Sequence, residues 1–288
     1  MIKVIASDMD GTLLNSQHEI CGENVKAIKM AEDKGIKFVI VTGREYESVK
    51  PILKANGLIC QCILMNGAEY RDEEGNILES ININKERFIQ IVDILKNDGG
   101  SILLFTNDGI YTTSNKEDAF NAVVKEIQKF EAGVSYEEAL EKAKTNPRFT
   151  KLKYIEDINE FSESGIEVRK ILTFNDDLEK VVERKKQLSD IEDLAVSSSF
   201  YNNIEITNVS AQKGIILGKY ADNNGIPRDE IMVLGDSFND YSMFTEFNLS
   251  FAMGNAIPEI KEVAKYITDT NDNAGVAKAI YNAIENNL

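Results

Sequence analysis

The sequence has little of what marks fibrous, linker-like or disordered chains. Only 4 of its 288 residues are proline and 18 are glycine, which excludes a fibrous or linker-like protein. Apolar residues make up 43% and charged residues 28%, close to the average of soluble globular proteins, so a packed core is expected. The length suits roughly two domains.

Positive charge is scarce and is nowhere concentrated. The chain has 32 Lys and Arg residues against 48 Asp and Glu residues, a formal net charge of −16. Nucleic acids and anionic membrane surfaces both attract clustered Lys and Arg. Because such clusters are missing, we expect neither nucleic acid nor a membrane as a partner. The negative charge mainly favours solubility.

Long apolar runs and spaced cysteine pairs are also missing. The longer apolar runs, such as residues 38–41, are far too short to span a bilayer. The apolar start of the chain is too short for a signal peptide and runs into Asp8. Cys60 and Cys62 lack the two-residue spacer of common zinc and redox motifs. We therefore predict a cytoplasmic protein with reduced thiols.

Short apolar runs alternate with helical patterns towards both ends of the chain. The first runs are residues 2–7, 37–41 and 60–65, with helical spacing between them. Similar runs return at residues 231–234 and 249–252. This alternation is typical of a parallel α/β sheet and predicts a doubly wound, Rossmann-like core.

The middle of the chain follows another pattern. Predicted helices flank a hairpin near residues 102–113, and residues 131–149 form a polar, less regular stretch. The sequence therefore predicts an α/β core at residues 1–82 and 207–288, with a smaller α+β domain inserted at 83–206.

The first candidate site, at residues 8–12, directly follows an apolar strand. Ligands of open α/β sheets bind at the carboxyl ends of strands. Asp8 and Asp10 point in different directions, so one can act as a nucleophile while the other moves protons. An ordinary Asx-turn, with Gly11 in the turn and Thr12 bracing it, would also explain the segment. A calcium loop would not, because its glycine stands at the sixth position and not the fourth.

The second candidate stands at the end of another predicted strand. Thr42 and Gly43 precede Arg44 where a helix is about to start. A hydroxyl and free backbone N–H groups at a helix start can bind phosphate. The alternative is a simple strand-to-helix turn capped by the threonine.

The third candidate is Lys213, which opens a predicted helix. A positive charge is unfavourable at a helix N-terminus, which suggests another reason for it. The alternative is a solvated surface lysine. The glycines that follow do not form a P-loop, because three residues instead of four separate them.

The fourth candidate comprises Asp236, Asn239 and Asp240, directly after the apolar run 231–234. Carboxylates at a strand end suit Mg²⁺, which prefers a few hard oxygen ligands. The alternative is a helix N-cap with acidic residues at the positive end of the helix dipole.

Together, and in this order, the four motifs resemble those of the Cof-type phosphatases of the haloacid dehalogenase superfamily. That family carries Asp-x-Asp-Gly-Thr, Thr-Gly-Arg, a Lys-Gly helix start and Gly-Asp-x-x-Asn-Asp, and all four are present here. Residues 270–277 also look similar to the family. The resemblance covers essentially the whole chain. It implies that the insert is a cap domain that supplies the specificity residues.

The resemblance implies a Mg²⁺-dependent phosphatase that hydrolyses a small phosphorylated metabolite, such as a sugar phosphate. Asp8 would be the nucleophile and would become a phosphoaspartate. Asp10 would protonate the leaving group and then activate water. Asp8, the backbone carbonyl of Asp10, and Asp236 would hold Mg²⁺.

The resemblance also implies which groups bind the phosphoryl oxygens. These are the Met9 N–H, Thr42, Gly43, Lys213 and Asn239. Asp240 would support them by orienting Lys213 or the metal ligands. The single histidine, His18, is given no catalytic role, because Asp10 already serves as acid and base.

Two rival functions stay open. A phosphotransferase or phosphomutase of the same superfamily would share the phosphoaspartate and differ in the acceptor. A non-catalytic protein that binds a phosphorylated metabolite would have no need for the pair Asp8 and Asp10. The insert carries no motif that identifies the substrate.

Overall fold

The structure is a computed structural model that describes residues 2–96, 98, 100–131 and 133–288. Its strands are β1 (Val4–Ser7), β2 (Lys37–Val41), β3 (Gln61–Leu64), β4 (Glu69–Arg71), β5 (Ile77–Ser80), β6 (Ile102–Thr106), β7 (Gly109–Thr112), β8 (Lys153–Tyr154), β9 (Val168–Phe174), β10 (Leu194–Ser197), β11 (Asn203–Asn208), β12 (Ile231–Gly235), β13 (Leu249–Ala252) and β14 (Tyr266–Ile267).

The α-helices of the described residues are given next, in chain order. They are α1 (Gly22–Asp33), α2 (Tyr46–Ala55), α3 (Lys85–Leu95), α4 (Lys116–Phe130), α5 (Tyr136–Thr145), α6 (Pro147–Thr150), α7 (Ile158–Glu163), α8 (Leu178–Ser189), α9 (Lys213–Asn223), α10 (Tyr241–Glu246), α11 (Pro258–Val263) and α12 (Gly275–Glu285). Short 3₁₀ turns stand at Met65–Gly67, Arg228–Glu230, Phe238–Asp240 and Asn271–Asn273. Among the residues that the structure describes, every helix is too short or too polar to cross a bilayer.

Eight of the described strands form one sheet in the order β14-β13-β12-β1-β2-β3-β4-β5. Neighbours from β14 to β3 are parallel, whereas β4 and β5 pair antiparallel at one edge. The predicted α/β fold with a parallel-sheet core is confirmed, and the sheet ends in an antiparallel hairpin, β4 and β5. Chain order reverses at β1, which lies between β12 and β2, and ligands of such sheets bind where the order reverses.

Helices cover both faces of this sheet because its central strands are apolar on both sides. Ile5 of β1 belongs to one buried cluster with Ile28 of α1, and this cluster also includes α12. Val4 and Ala6 belong to the other cluster, with Leu217 of α9. Successive side chains of a strand point to opposite faces, so a strand buried on both faces is a continuous apolar run.

Six of the described strands form a second sheet in the order β10-β11-β9-β6-β7-β8. Its central pairs, β11–β9, β9–β6 and β6–β7, are antiparallel. A separate apolar cluster, which includes Phe88 of α3, Leu188 of α8 and Ile171 of β9, forms the core beside this sheet. Helices and a mainly antiparallel sheet with their own core make this an α+β unit, in which the pair β7–β8 is parallel.

The prediction of an irregular stretch over residues 131–149 was wrong. The segment contains α5 and the short α6. Ser135 and Glu138 form a capping box at the start of α5, each side chain bonding the backbone N–H of the other. Ala139 and Ala143 of α5 then pack with Val124 of α4. The many polar residues on the exposed face of α5 made the segment look irregular, although its start signal, Ser-x-x-Glu, is present in the sequence.

Contacts within the chain divide it into two compact units. The first comprises Met1–Ile81, Ser197–Ser199 and Val209–Leu288, and the second comprises Asn82–Val196 and Phe200–Asn208. The sequence-based boundaries lay after residues 82 and 206. Strand β11 continues to Asn208 and pairs with β9, so its last residues belong with the second sheet.

Candidate active site

Three carboxylates meet at the carboxyl ends of two neighbouring strands. Asp8 directly follows β1, Asp236 follows β12, and Asp240 ends the 3₁₀ turn after it. One carboxylate oxygen from each of the three lies within 4.8 Å of the others. Because β1 and β12 are parallel and adjacent, residues far apart in sequence meet at one edge of the sheet.

Lys213 is the cation at the centre of this cluster. Lys213 is 0% exposed to solvent. Its Nζ donates hydrogen bonds to Asp8 Oδ1 at 2.6 Å and to Asp240 Oδ1 at 2.5 Å. Burial lowers the pKa of Lys213, but the charges and hydrogen bonds of Asp240 and Asp8 outweigh it and raise the pKa overall. The lysine therefore stays protonated, and it is not the solvated residue of the alternative interpretation.

The cluster carries more negative than positive charge. Burial raises the pKa of Asp8, Lys213 opposes this, and the neighbouring carboxylates raise the pKa further, so that it ends well above its usual value. Burial and the charge of Asp240 raise the pKa of Asp236 to about 7. Three carboxylates around one ammonium group therefore favour the binding of a proton or of a further cation.

The turn after β1 is shaped around Asp236. Thr12 Oγ1 donates a hydrogen bond to Asp236 Oδ1 at 2.8 Å. Gly11 has a φ of +77°, and a Cβ built there would lie 2.4 Å from Asp236 Oδ2. Glycine is therefore required both by backbone conformation and by the close approach of the carboxylate. The sequence suggested that the threonine braces its own turn, whereas the structure directs its hydroxyl to the second aspartate.

Asp240 is bonded through both carboxylate oxygens. Its Oδ1 accepts the hydrogen bond from Lys213, and its Oδ2 accepts from the backbone N–H groups of Asp236 and Ser237 at 2.9 and 3.1 Å. This carboxylate thus fixes both the lysine and the turn that carries Asp236. The acidic cluster could hold a divalent cation, and its hard oxygen donors suit Mg²⁺.

Asp10 pairs with Arg44, a residue to which the sequence analysis gave no role. Arg44 Nε and Nη2 donate to Asp10 Oδ2 and Oδ1 at 2.7 and 2.6 Å. Burial raises the pKa of Asp10, but these bonds, the charge of Arg44 and that of His18 outweigh it and lower the pKa overall. The sequence contained a signal for this pair, because each residue stands three positions after the end of a strand, and the two strands, β1 and β2, are neighbours in the sheet.

His18 also lies near the second aspartate of the motif. Its Nδ1 is 3.9 Å from Asp10 Oδ1. Asn15 turns the loop back, since its Oδ1 accepts hydrogen bonds from the N–H groups of Gln17 and Glu19. His18 was expected to have no catalytic role, and the structure nevertheless brings it close to Asp10, the proposed acid and base.

The remaining predicted residues also stand at the carboxyl edge of the first sheet. Thr42 and Gly43 lie between β2 and α2, and Thr42 Oγ1 accepts a hydrogen bond from the Arg44 N–H at 3.2 Å. Asn239 Nδ2 donates to Asn66 Oδ1 at 3.3 Å. The Met9 side chain is fully buried in the apolar core, so the part of Met9 proposed for binding is its backbone N–H.

Comparisons with known proteins agree with the motifs. A family model described as haloacid dehalogenase-like hydrolase matches residues 5–280. Phosphatase YwpJ of Bacillus subtilis (strain 168) is 34% identical over 278 residues, covering 96% of this chain and 98% of the relative. A 5-amino-6-(5-phospho-D-ribitylamino)uracil phosphatase, YwtE, of the same organism is 33% identical over 276 residues and covers 96% of both chains.

A solved structure agrees as well. A haloacid dehalogenase-like hydrolase from B. subtilis is 32% identical, with a TM-score of 0.84, and the match covers 97% of this chain and 99% of that one. The resemblance drawn from the four motifs is confirmed.

Proposed function

Because the chain belongs to the haloacid dehalogenase-like hydrolases, we propose that it is a Mg²⁺-dependent phosphatase of a small phosphorylated metabolite that acts through a phosphoaspartate on Asp8. Named phosphatases among its relatives support hydrolysis of a phosphoric monoester. The observation that carries the proposal is the placement of Asp8. This buried carboxylate lies at the end of the central strand, bonded to Lys213 and within reach of Asp236.

Asp8 is the nucleophile of the proposed reaction. One of its carboxylate oxygens attacks phosphorus while the bond from phosphorus to the leaving oxygen breaks. Lys213 orients the carboxylate through Oδ1 and places a positive charge beside the phosphoryl group. The other proposed contacts to the phosphoryl oxygens come from the Met9 N–H, Thr42, Gly43 and Asn239.

Asp10 handles the proton in both steps. It donates a proton to the leaving oxygen, and in the second step it takes a proton from the water that attacks phosphorus and releases phosphate from Asp8. Arg44 holds Asp10 in the ionised form, which suits the second step. The first step needs a proton on Asp10, so the bonds to Arg44 have to loosen when the substrate binds, and Asp10 takes up this proton from solvent before it passes it to the leaving oxygen.

The residues present fit a Mg²⁺ ion. Asp8 and Asp236 would hold it together with the backbone carbonyl of Asp10. Both carboxylate oxygens of Asp240 already accept hydrogen bonds, one from Lys213 and one from the Asp236 N–H. When bound, Mg²⁺ supplies positive charge where an anionic carboxylate meets an anionic phosphoryl group. The excess of carboxylates over ammonium groups supports this assignment.

The substrate class follows from the relatives and the insert. One relative acts on a phosphorylated ribitylaminouracil, which supports a small, polar phosphomonoester for this chain too. The insert at 83–206 is the proposed cap that sets specificity. The three free cysteines support a reducing compartment, the cytoplasm.

A phosphate-release screen tests the proposal. Sugar phosphates, flavin mononucleotide, pyridoxal phosphate and a ribitylaminouracil phosphate are offered with Mg²⁺ and with excess chelator. We expect release from a few of them, only with Mg²⁺, and none from Asp8→Asn purified in parallel. Full activity in chelator would refute the metal assignment.

Two other outcomes would replace the proposal with a rival. Transfer of the phosphoryl group to a sugar added in excess would indicate a phosphotransferase. Binding of a phosphometabolite without turnover of any compound in the panel would indicate a binding protein.

A further inference from the structure

The loop that follows Asp10 is bonded by side chains from the far end of the chain. Asn255 Nδ2 donates a hydrogen bond to the Gly11 carbonyl at 2.7 Å. Asn271 Nδ2 donates to the Leu14 carbonyl at 2.9 Å. The two asparagines thus bond the backbone on either side of Thr12 and Leu13, directly after Asp10.

Two further side chains bond the same loop. Asp272 Oδ1 accepts a hydrogen bond from the Ser16 N–H at 2.8 Å. The buried Asn24 donates to the Leu13 carbonyl at 3.3 Å and accepts from the Ala277 N–H at 3.0 Å, so it joins the loop to the start of α12. Backbone groups at four positions between residues 11 and 16 are therefore bonded by side chains from outside the loop.

These side chains also support one another. Asn255 Oδ1 accepts a hydrogen bond from the Asn271 N–H at 2.9 Å, so the two donors to the loop are joined. We call Asn24, Asn255, Asn271 and Asp272 the loop clamp. Asn273, in the same turn, donates to Asp269 at 3.2 Å and serves as a neighbour that bonds away from the loop.

The clamp bonds the backbone that begins one residue after Asp10. Arg44 fixes only the carboxylate of that residue, and through a side chain that approaches from β2. The position of the carboxylate also depends on the backbone, which continues at once into the Gly11 carbonyl bonded by Asn255. A proton donor has to stand within hydrogen-bond reach of the leaving oxygen, so a small shift of this backbone lowers its efficiency.

We propose that Asn255 and Asn271 are positioning residues for the acid–base function of Asp10. The inference rests on the proposed function, because it takes Asp10 as the proton donor. Its chemical consequence is specific. The two asparagines matter most when the leaving oxygen needs a proton, and little when the leaving group is already a stable anion.

The test compares leaving groups in the full-length protein at saturating Mg²⁺. The kcat/KM value, which reports phosphoenzyme formation, is measured for phenyl phosphate and for p-nitrophenyl phosphate. We expect Asn255→Ala and Asn271→Ala to lose about 5- to 10-fold on phenyl phosphate but less than about 2-fold on the nitrophenyl ester, because only the poorer leaving group depends on the acid. The control Asn273→Ala should match the wild type on both.

A double variant separates positioning from general loosening of the fold. In the Asp10→Asn background there is no acid to position, so adding Asn255→Ala should cost less than about 2-fold on phenyl phosphate. An equal loss on both substrates, or an undiminished loss in that background, would overturn the inference. If one asparagine variant fails a thermal-unfolding check, the other bonds a different carbonyl and still decides the question.

The same data separate this inference from the proposed function. If Asp10→Asn itself loses activity equally on both substrates, the assignment of Asp10 as the acid fails, and the inference fails with it. If Asp10→Asn shows the leaving-group dependence and the asparagine variants do not, only the positioning role fails.

Discussion

Each of the two units buries a lysine against carboxylates, and the two clusters differ in their balance of charge. In the first unit, Lys213 bonds Asp8 and Asp240, and Asp236 is the third carboxylate of the cluster. In the second, Lys170 Nζ donates to Glu205 Oε2 at 2.8 Å, and the charge of Glu205 also acts on Lys185, whose pKa burial lowers. The first cluster contains three carboxylates, whereas in the second Lys170 bonds one glutamate whose charge also acts on a second lysine.

The two clusters also differ in their place in the sheet. Lys170 and Glu205 stand within the neighbouring strands β9 and β11, in diagonal register, and so form a cross-strand pair. The aspartates around Lys213 stand beyond the ends of β1 and β12. Burial of a lysine beside a carboxylate is therefore common to both clusters and does not distinguish them. Position at the strand ends and a surplus of carboxylates are the signs that point to chemistry.

The largest expected effect separates the two clusters by activity. Asp8→Asn should lower kcat for p-nitrophenyl phosphate by about 10⁴-fold or more, because the amide is a poor nucleophile. Glu205→Gln, the matched change in the second cluster, should leave kcat within about 3-fold, since the glutamate belongs to a structural pair. Equal losses of kcat in the two variants would contradict a catalytic role that belongs to the Asp8 cluster and not to the Glu205 cluster.

The two lysines should differ in what their removal costs. Lys213→Met should lower kcat by about 10²- to 10³-fold, the usual effect of losing a group that stabilises charge in the transition state. Lys170→Met should lower the free energy of unfolding by about 3–5 kcal/mol, because it leaves Glu205 buried without that partner. Urea unfolding and kcat are measured for both variants. A normal kcat in Lys213→Met would contradict the account.

Metal binding should involve only the anion-rich cluster. At one hundred times its Kd, Mg²⁺ should stabilise the wild type by about 2.7 kcal/mol, observed as a higher Tm. Asp236→Ala should need more than about tenfold more Mg²⁺ for activity and for the rise in Tm. Glu205→Gln should respond as the wild type does. An unchanged Mg²⁺ requirement in Asp236→Ala would remove this aspartate from the metal site.

The smallest expected effect is a pH-dependent change in stability caused by an exposed ion pair in the first unit. Lys278 donates to Asp269 Oδ2 at 2.6 Å, and this bond, with those from Thr270 and Asn273, lowers the pKa of Asp269 to about 2. Because the folded-state pKa lies below the usual 3.8, the stabilisation is present above that value and is lost as the pH falls towards about 2. The Tm difference between wild type and Asp269→Asn should therefore shrink between about pH 6 and about pH 3. A constant difference would exclude a contribution from this charge.

Many strands and motif positions of the first unit were predictable, because short stretches of neighbouring residues in the sequence indicate them. The apolar runs at 37–41 and 249–252 coincide with β2 and β13, and each chemical motif directly follows or precedes a predicted element. The irregular prediction for 131–149 missed α5, whose helical character depends on packing against α4 as much as on its capping box.

The pairings within the site were harder to predict because they depend on which strands become neighbours. Arg44 meets Asp10 because β1 and β2 are adjacent and parallel. Thr12 meets Asp236 because β1 also pairs with β12. The burial of Lys213 follows from both pairings together with the turn that carries Asp240, and no local pattern contains that information.

Trapping the covalent intermediate shows whether Asp8 becomes phosphorylated during turnover. The wild type is mixed with p-nitrophenyl phosphate and Mg²⁺, quenched in acid during turnover, digested and analysed by mass spectrometry. We expect one phosphoryl group on the peptide that contains Asp8, labile to hydroxylamine as an acyl phosphate is, and none in Asp8→Asn. A phosphoryl group on another residue, or wild-type turnover by Asp8→Asn, would contradict it.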